Sequence, residues 1–196
     1  MAQRARSKDT PVATFANARA WWIWLESHHA SSRAVWLKLA KRGSSRRTLS
    51  YGEAVEGAIA WGWIDGQKRT VDEEYWLQKF TPRAARSIWS KENRRKALAL
   101  IAAGKMMKPG LAEVDRAKRD GRWQNAYESQ SKATVPVDLA KALLASPRAA
   151  RFFDALDSRN RYAVLFRVST AKKPETRAKR IQTFVGMLSR HEKLHP

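Results

Sequence analysis

The hydrophobic residues follow two rhythms, one typical of strands and one of helices. Within residues 33–41, Val35, Leu37 and Leu39 alternate with Trp36 and Lys38, which predicts a strand. After Asn17 the apolar residues recur every three or four positions, which predicts a helix capped by that residue. Ser50 and Glu53 have the spacing of a capping box, so a second helix is predicted to begin there and to end near Gly62.

A hairpin is predicted next. Residues 63–69 and 74–80 alternate as strands do, Asp72 lies in the turn, and Pro82 ends the pair. Two further helices follow, one beginning at Ser87 or Ser90 and ending at Gly104, and a shorter one over 111–120. The first part of the chain is therefore predicted to be α+β, a small antiparallel sheet backed by helices.

The pattern after residue 125 is helical throughout. Three amphipathic stripes follow a polar, proline-containing stretch and predict a C-terminal helical bundle segment. The predicted organisation is a disordered basic tail over 1–12, an α+β domain over 13–125, a linker over 126–136, and a helical segment over 137–196 packed on or beside the domain.

Charge adds a prediction about partners. The sequence holds 39 Lys and Arg against 18 Asp and Glu, a formal net charge of +21. Such a protein attracts polyanions, which leaves nucleic acid, anionic lipid and acidic envelope polymer as partner classes. A basic surface that is merely solvated is the alternative.

Several chemistries find no support in the sequence. Without cysteine there is no disulfide, thiolate nucleophile or cysteine metal site. The glycines do not have the spacing of a phosphate loop, and no histidine lies near a candidate nucleophile. We expect no catalytic residue, no metal and no cofactor. With no signal peptide and no long apolar run visible, we expect a cytoplasmic protein without a membrane span.

Four blocks of sequence carry a family resemblance. They are VWLKLAK, SYGEAVEGAIAWGWIDG, FTPRAARSIWSKENRRKALALIAAGKM and GRW, followed by a helical tail that begins LAKALLASPRAARFF. In this order and spacing they resemble the bacteriocin-protection YdeI/OmpD-associated family over about residues 15–190. The resemblance implies a cytoplasmic bacterial protein linked to tolerance of antimicrobial peptides, bacteriocins or envelope stress. It implies no accepted catalytic activity.

The Gly-Trp-Ile-Asp block contains a candidate carboxylate. In a strand that starts at Trp63, the side chains of Trp63 and Asp65 point to the same face. One hypothesis makes Asp65 a general base that faces a ligand cleft. The other makes it the ion-pair partner of Arg83 or a turn cap, and Arg83 lies at the end of the partner strand.

A second candidate is the start of the helix after the hairpin. Free backbone N–H groups and clustered basic residues there would bind phosphate, sulfate or carboxylate. With Trp63 and Asp65, the predicted site contains Arg83, Arg86, Ser87, Trp89, Ser90, Lys91 and Asn93. The alternative is an ordinary helix cap with a solvated basic helix and a core tryptophan.

The C-terminal run KKPETRAKR is a third candidate. Its cations, predicted to lie along phosphates, are Lys172, Lys173, Arg177, Lys179 and Arg180. Three functions stay open at this point. The first is a non-enzymatic stress-tolerance protein that binds an anionic ligand or partner. The second is a sequence-independent nucleic-acid-binding protein, and the third is an enzyme that uses Asp65.

Overall fold

The structure is a computed structural model that describes residues 10–196. The tail predicted over 1–12 therefore lies outside the described residues as far as residue 9. The chain divides into two compact units. The first contains the residues up to Ile88 together with Asn93–Gln124, and the second contains Trp89–Glu92 together with Asn125–Pro196.

The elements from β1 to α4 are four strands and four helices. In chain order they are β1 Val12–Ala13, α1 Ala18–His28, β2 Val35–Ala40, α2 Tyr51–Ala60, β3 Trp63–Thr70, β4 Tyr75–Pro82, α3 Lys91–Ala102 and α4 Lys108–Arg119. The sheet order is β1-β2-β4-β3, and β1 runs parallel to β2 while the other pairs are antiparallel. The predicted α+β class is confirmed. The sheet is mixed rather than purely antiparallel, since β1 runs parallel to β2. The sequence did not predict β1, because a two-residue strand is too short to leave a hydrophobic pattern.

Both predicted helix caps are present. The Asn17 side chain accepts a hydrogen bond from the N–H of Ala20 at 3.0 Å. Ser50 and Glu53 form the reciprocal capping box at the start of α2. These side chains satisfy backbone N–H groups that have no partner inside the helix, so both helices begin where the sequence predicts.

One face of the sheet packs against α1. Val35 pairs with Phe80 in the β2–β4 register, and both side chains are buried. The ring of Trp21, on α1, lies 5.8 Å from that of Phe80. The indole N–H of Trp21 also donates to the carbonyl of Ala54 on α2 at 3.1 Å. A single tryptophan thus ties two helices to the sheet.

The second unit contains a 3-10 turn at Gln130–Lys132 and four helices, α5 Val137–Leu144, α6 Pro147–Asp154, α7 Ser158–Ser169 and α8 Pro174–Ser189. Its core is formed by Leu and Phe side chains from all four helices, which confirms the predicted helical segment. Asn160 is buried and accepts from the N–H groups of Leu194 and His195, which fastens the last residues to α7. Among the described residues no helix is both long and apolar enough to cross a membrane.

Candidate anion-binding site

The residues predicted as one anion site are divided between the two units. Trp63, Asp65 and Arg83 belong to the first unit, as do Arg86, Ser87 and Asn93. Trp89, Ser90 and Lys91 belong to the second unit. The structure therefore gives these residues separate surroundings, and each group is described in its own unit.

Arg83 lies in a loop that three arginines hold together. Arg83 is 5% exposed, and its guanidinium donates to the carbonyl of Ile88 at 3.3 Å. Arg116 donates to the carbonyl of Ala84 at 3.2 Å, and Arg122 donates to the carbonyl of Ser87. Guanidinium groups have five donors, and here they satisfy backbone carbonyls of a loop that forms no regular structure. Arg83 is therefore built into the loop.

Two carboxylates form ion pairs with two of these three arginines. Asp120 forms an ion pair with Arg122, and Glu113 forms one with Arg116. Burial raises the pKa of Glu113, although Arg116, Arg83 and Arg122 lie close enough to favour its ionised form. Glu113, Arg116 and Arg122 were not among the site residues predicted from the sequence. They lie on or just after α4, about 30 residues from the loop they hold, and no local pattern marks that contact.

Ser87 and Ser90 have different roles. Helix α3 begins at Lys91, so Ser90 directly precedes it and Ser87 stays in the preceding loop. There the Ser87 hydroxyl accepts from the N–H of Ala84 at 3.0 Å, which closes a turn. Arg86 and Lys91 are exposed, whereas Asn93 is half-buried.

The start of α3 is already bonded inside the second unit. The N–H of Lys91 donates to the carbonyl of Tyr127 at 2.8 Å, and the Lys91 ammonium lies 2.5 Å from a Glu128 oxygen. Ser90 and Tyr127 form a parallel bridge, and Trp89 is buried. A protein carbonyl and a carboxylate thus occupy donors that the anion-site hypothesis assigns to a ligand.

Asp65 is bonded to a tyrosine and not to Arg83. Its carboxylate accepts from the Tyr51 hydroxyl at 2.8 Å. The register explains this choice, since Asp65 lies opposite Phe80 and Trp63 lies opposite Pro82. Opposed residues share a face of the sheet, so the odd-numbered Arg83 begins on the other face. Trp63 is buried and its indole N–H donates to the carbonyl of His29 at 3.2 Å.

A cleft lies at the turn end of the hairpin, and one of its walls is Tyr51, the residue that donates to Asp65. It has a volume of about 510 Å³. We call it the hairpin cleft, and its lining residues are Ala40, Lys41, Arg42, Ser50, Tyr51, Lys68, Thr70 and Trp76. The loop after β2, the start of α2 and both hairpin strands contribute to it.

The hairpin cleft combines cations with aromatic walls. The Lys68 ammonium lies 4.4 Å from the centre of the Trp76 ring, and the Tyr51 and Trp76 rings lie 5.6 Å apart. Within the described part of the chain, no carboxylate forms an ion pair with Lys41, Arg42 or Lys68. Close to the cleft, the Glu74 carboxylate pairs instead with Arg46 at 3.3 Å. The cleft therefore holds three cations that form no ion pair within residues 10–196.

The cleft residues are far apart in sequence, which is why they were not predicted as a site. Lys41 and Arg42 begin the basic stretch KRGSSRRT, and Lys68 follows them by more than 25 residues. The strand pattern places Lys68 and Trp76 on neighbouring strands. It does not show that the loop after β2 reaches the same end of the sheet.

The C-terminal cations are only partly available. Arg177 pairs with Asp138 at 2.5 Å and also donates to the carbonyl of Val168, and Arg180 donates to the carbonyl of Arg167. These two arginines hold α8 to other helices of the second unit. The remaining three cations of the run are exposed: Lys172, Lys173 and Lys179.

Comparisons with known proteins match the two parts of the chain separately. A family model described as "Bacteriocin-protection, YdeI or OmpD-Associated" matches residues 132–191, which confirms the resemblance over that segment. No curated protein and no solved structure matches the chain. A model described as "Domain of unknown function (DUF8412)" matches residues 13–113, just over half of the chain. The chain therefore belongs to the DUF8412 family of domains of unknown function, and it carries that domain together with a segment that matches the bacteriocin-protection, YdeI or OmpD-associated model.

Proposed function

We propose that this protein is a non-enzymatic cytoplasmic binding protein that takes a phosphate- or carboxylate-bearing ligand into the hairpin cleft. The observation that carries the proposal is the group of three cations, Lys41, Arg42 and Lys68, beside the Trp76 and Tyr51 rings. In the described part of the chain none of the three cations forms an ion pair with a carboxylate. The description of the model matched by residues 132–191 supports a role in bacteriocin protection. We extend the proposal to tolerance of antimicrobial peptides or envelope stress.

The charge of the cleft favours an anion. Three like charges around one cleft repel each other, and an anion that binds between them relieves this repulsion. The cleft is concave, so a ligand there is partly removed from water and its attraction to the cations is less screened than on a flat surface. Trp76 and Tyr51 add apolar ring faces, which favour a ligand with a planar or apolar part next to its anionic group.

Removal of the cleft cations should weaken anion binding. We expect the double variant Lys41→Gln/Lys68→Gln to bind pyrophosphate or citrate about a hundredfold or more weakly than the wild type, because each lost charged contact contributes about 1.5 kcal/mol or more. Isothermal titration calorimetry at an ionic strength of about 0.15 M, where charges distant from the cleft are screened, measures both affinities. Pyrophosphate and citrate separate a preference for phosphate from one for carboxylate.

A charge-matched control comes from the same unit. Lys108→Gln/Arg119→Gln removes two exposed cations from α4, and neither residue lines the cleft. We expect this control to keep its affinity to within about twofold, because exposed distant charges are screened by salt. Equal losses in the two double variants would mean that only net charge attracts the anion, and the cleft would then not be the site.

A further inference from the structure

The face of the sheet opposite the core has its own chemistry. In the register, Trp36 lies opposite Lys79, and Leu77 lies opposite both Lys38 and Arg69. Opposed residues share a face, and the side chains of one strand alternate between faces. One face therefore presents Trp36, Lys38, Arg69, Tyr75, Leu77 and Lys79, which we call the open sheet face.

Each cation of the open sheet face lies over an aromatic ring. The Arg69 guanidinium lies 4.4 Å from the centre of the Trp36 ring, and the Lys79 ammonium lies 5.8 Å from it. The Lys38 ammonium lies 4.1 Å from the centre of the Tyr75 ring. These contacts hold the positive groups flat against the sheet, where they form a layer of charge over aromatic surface.

No acidic side chain neutralises this layer. Among the described residues, neither Lys38 nor Arg69 nor Lys79 forms an ion pair with a carboxylate. The face is open to water at its edges, because Val12, which pairs with Trp36, is 58% exposed and Arg69 is exposed.

We propose that the open sheet face binds single-stranded nucleic acid without sequence preference. Cations spaced across three strands match a phosphate backbone, and the exposed Arg69 guanidinium and the part-exposed Tyr75 ring give bases a surface on which to stack. Trp36 is 5% exposed and supports these groups from beneath. A duplex hides the faces of its bases inside the helix, so stacking of this kind selects single strands. The six residues include no Asn, Gln, Asp or Glu to read base edges, and the three cations lie over rings, which is consistent with binding of any sequence.

This site is separate from the hairpin cleft. None of the six residues of the open sheet face lines the cleft. The side chains of Lys68 and Trp76 alternate with those of Arg69 and Tyr75 along the same two strands, so cleft and face lie on opposite sides of the hairpin. We therefore expect variants of the open sheet face to leave the hairpin cleft unchanged, and variants of the cleft to leave the face unchanged.

Fluorescence anisotropy with labelled oligo-dT, oligo-rU and a DNA duplex of equal length tests the proposal at several salt concentrations. We expect Lys38→Gln/Arg69→Gln/Lys79→Gln to bind both single strands at least about tenfold more weakly than the wild type. The slope of log affinity against log salt should fall by about 2, since each lost phosphate contact of a single strand contributes about 0.7. The wild type should prefer the single strands to the duplex.

The charge-matched control is Lys105→Gln/Lys108→Gln/Arg119→Gln, which removes three exposed cations of the same unit that do not belong to the open sheet face. We expect it to lose about threefold at most. Equal losses in the two triple variants, or a preference for the duplex, would overturn the proposal. So would tighter binding of the wild type to vesicles of anionic lipid than to the oligonucleotides at equal salt.

A second variant keeps the charge and removes a ring. Tyr75→Leu should lower affinity for the single strands by about threefold or more while the salt slope stays as in the wild type, because base stacking is lost and phosphate contacts are kept. Circular dichroism melting of each variant shows whether the fold is retained. An unchanged affinity in folded Tyr75→Leu would remove stacking from the proposal and so contradict it.

Discussion

Gly110 lies where α4 meets the end of α2, and its missing side chain is what lets these two helices approach. A Cβ atom there would lie 2.7 Å from the carbonyl oxygen of Ile59, and closer still to that of Ala60. Backbone oxygens of a helix cannot move aside as a flexible side chain can. Gly62, close by, has a φ of 75°, which glycine adopts without strain. Two glycines thus make this junction possible.

Gly110→Ala should therefore be among the most damaging single-methyl changes in the chain. We expect a loss of about 3 kcal/mol in the free energy of unfolding, measured by urea denaturation, because the methyl group meets fixed backbone. Gly52→Ala is the matched control. It lies in α2 with no atom within 4 Å of the added Cβ, and it should stabilise by about 0.5 kcal/mol. Equal effects of the two changes would show that close packing at Gly110 is not important.

At the scale of elements, α8 is tied to α5 by one ion pair. The Arg177 guanidinium donates to both oxygens of Asp138, at 2.5 and 2.9 Å, and to the carbonyl of Val168 on α7. The hydrogen bond from Arg177 holds the pKa of Asp138 below its ordinary value. The Asp138 side chain is 46% exposed, so the pair contributes about 1 kcal/mol at most.

This pair makes stability depend on pH in a defined direction. A lowered pKa in the folded state means that the pair stabilises the unit above the ordinary carboxyl pKa of about 4. The contribution is lost as pH falls through the lower pKa of the folded state. Asp138→Asn should therefore lower the free energy of unfolding by about 0.5 to 1 kcal/mol at pH 7 and by clearly less at pH 3, below the ordinary carboxyl pKa. Denaturation at both pH values measures this, with Asp115→Asn, exposed on α4, as the control. An equal loss at both pH values would exclude the ion pair as its cause.

The elements themselves were largely readable from the sequence. Asn17 and the pair Ser50 and Glu53 marked helix starts with side chains that bond locally, and alternation marked β2 and the hairpin. The pairing of Asp65 with Tyr51 was not readable, because it depends on where the start of α2 lies relative to β3. Parity along the hairpin does place Asp65 and Arg83 on opposite faces, once the register is known.

At the scale of the whole molecule, the net charge of +21 is used in different ways along the chain. Arg83, Arg116 and Arg122 hold a loop, and Arg177 holds helices, whereas the cations of the hairpin cleft and the open sheet face have no paired carboxylate among the described residues. Counting charges predicted a polyanion partner but could not separate these uses. Whether an arginine is structural depends on carbonyls and carboxylates brought near it by folding, and these are distant in sequence.

The short segment Trp89–Glu92 has a consequence for how this protein can be divided. It lies within the stretch that matches the first family model, yet it belongs to the second unit, where Ser90 bridges Tyr127. The stretch matched by the first family model therefore does not coincide with the first compact unit. A gene fragment that begins after residue 113 and before residue 127 would leave the Tyr127 backbone without the partners that Trp89 and Lys91 supply. Recombination there would transfer the second unit without its Trp89–Glu92 segment. We therefore expect the two matched stretches to be inherited together.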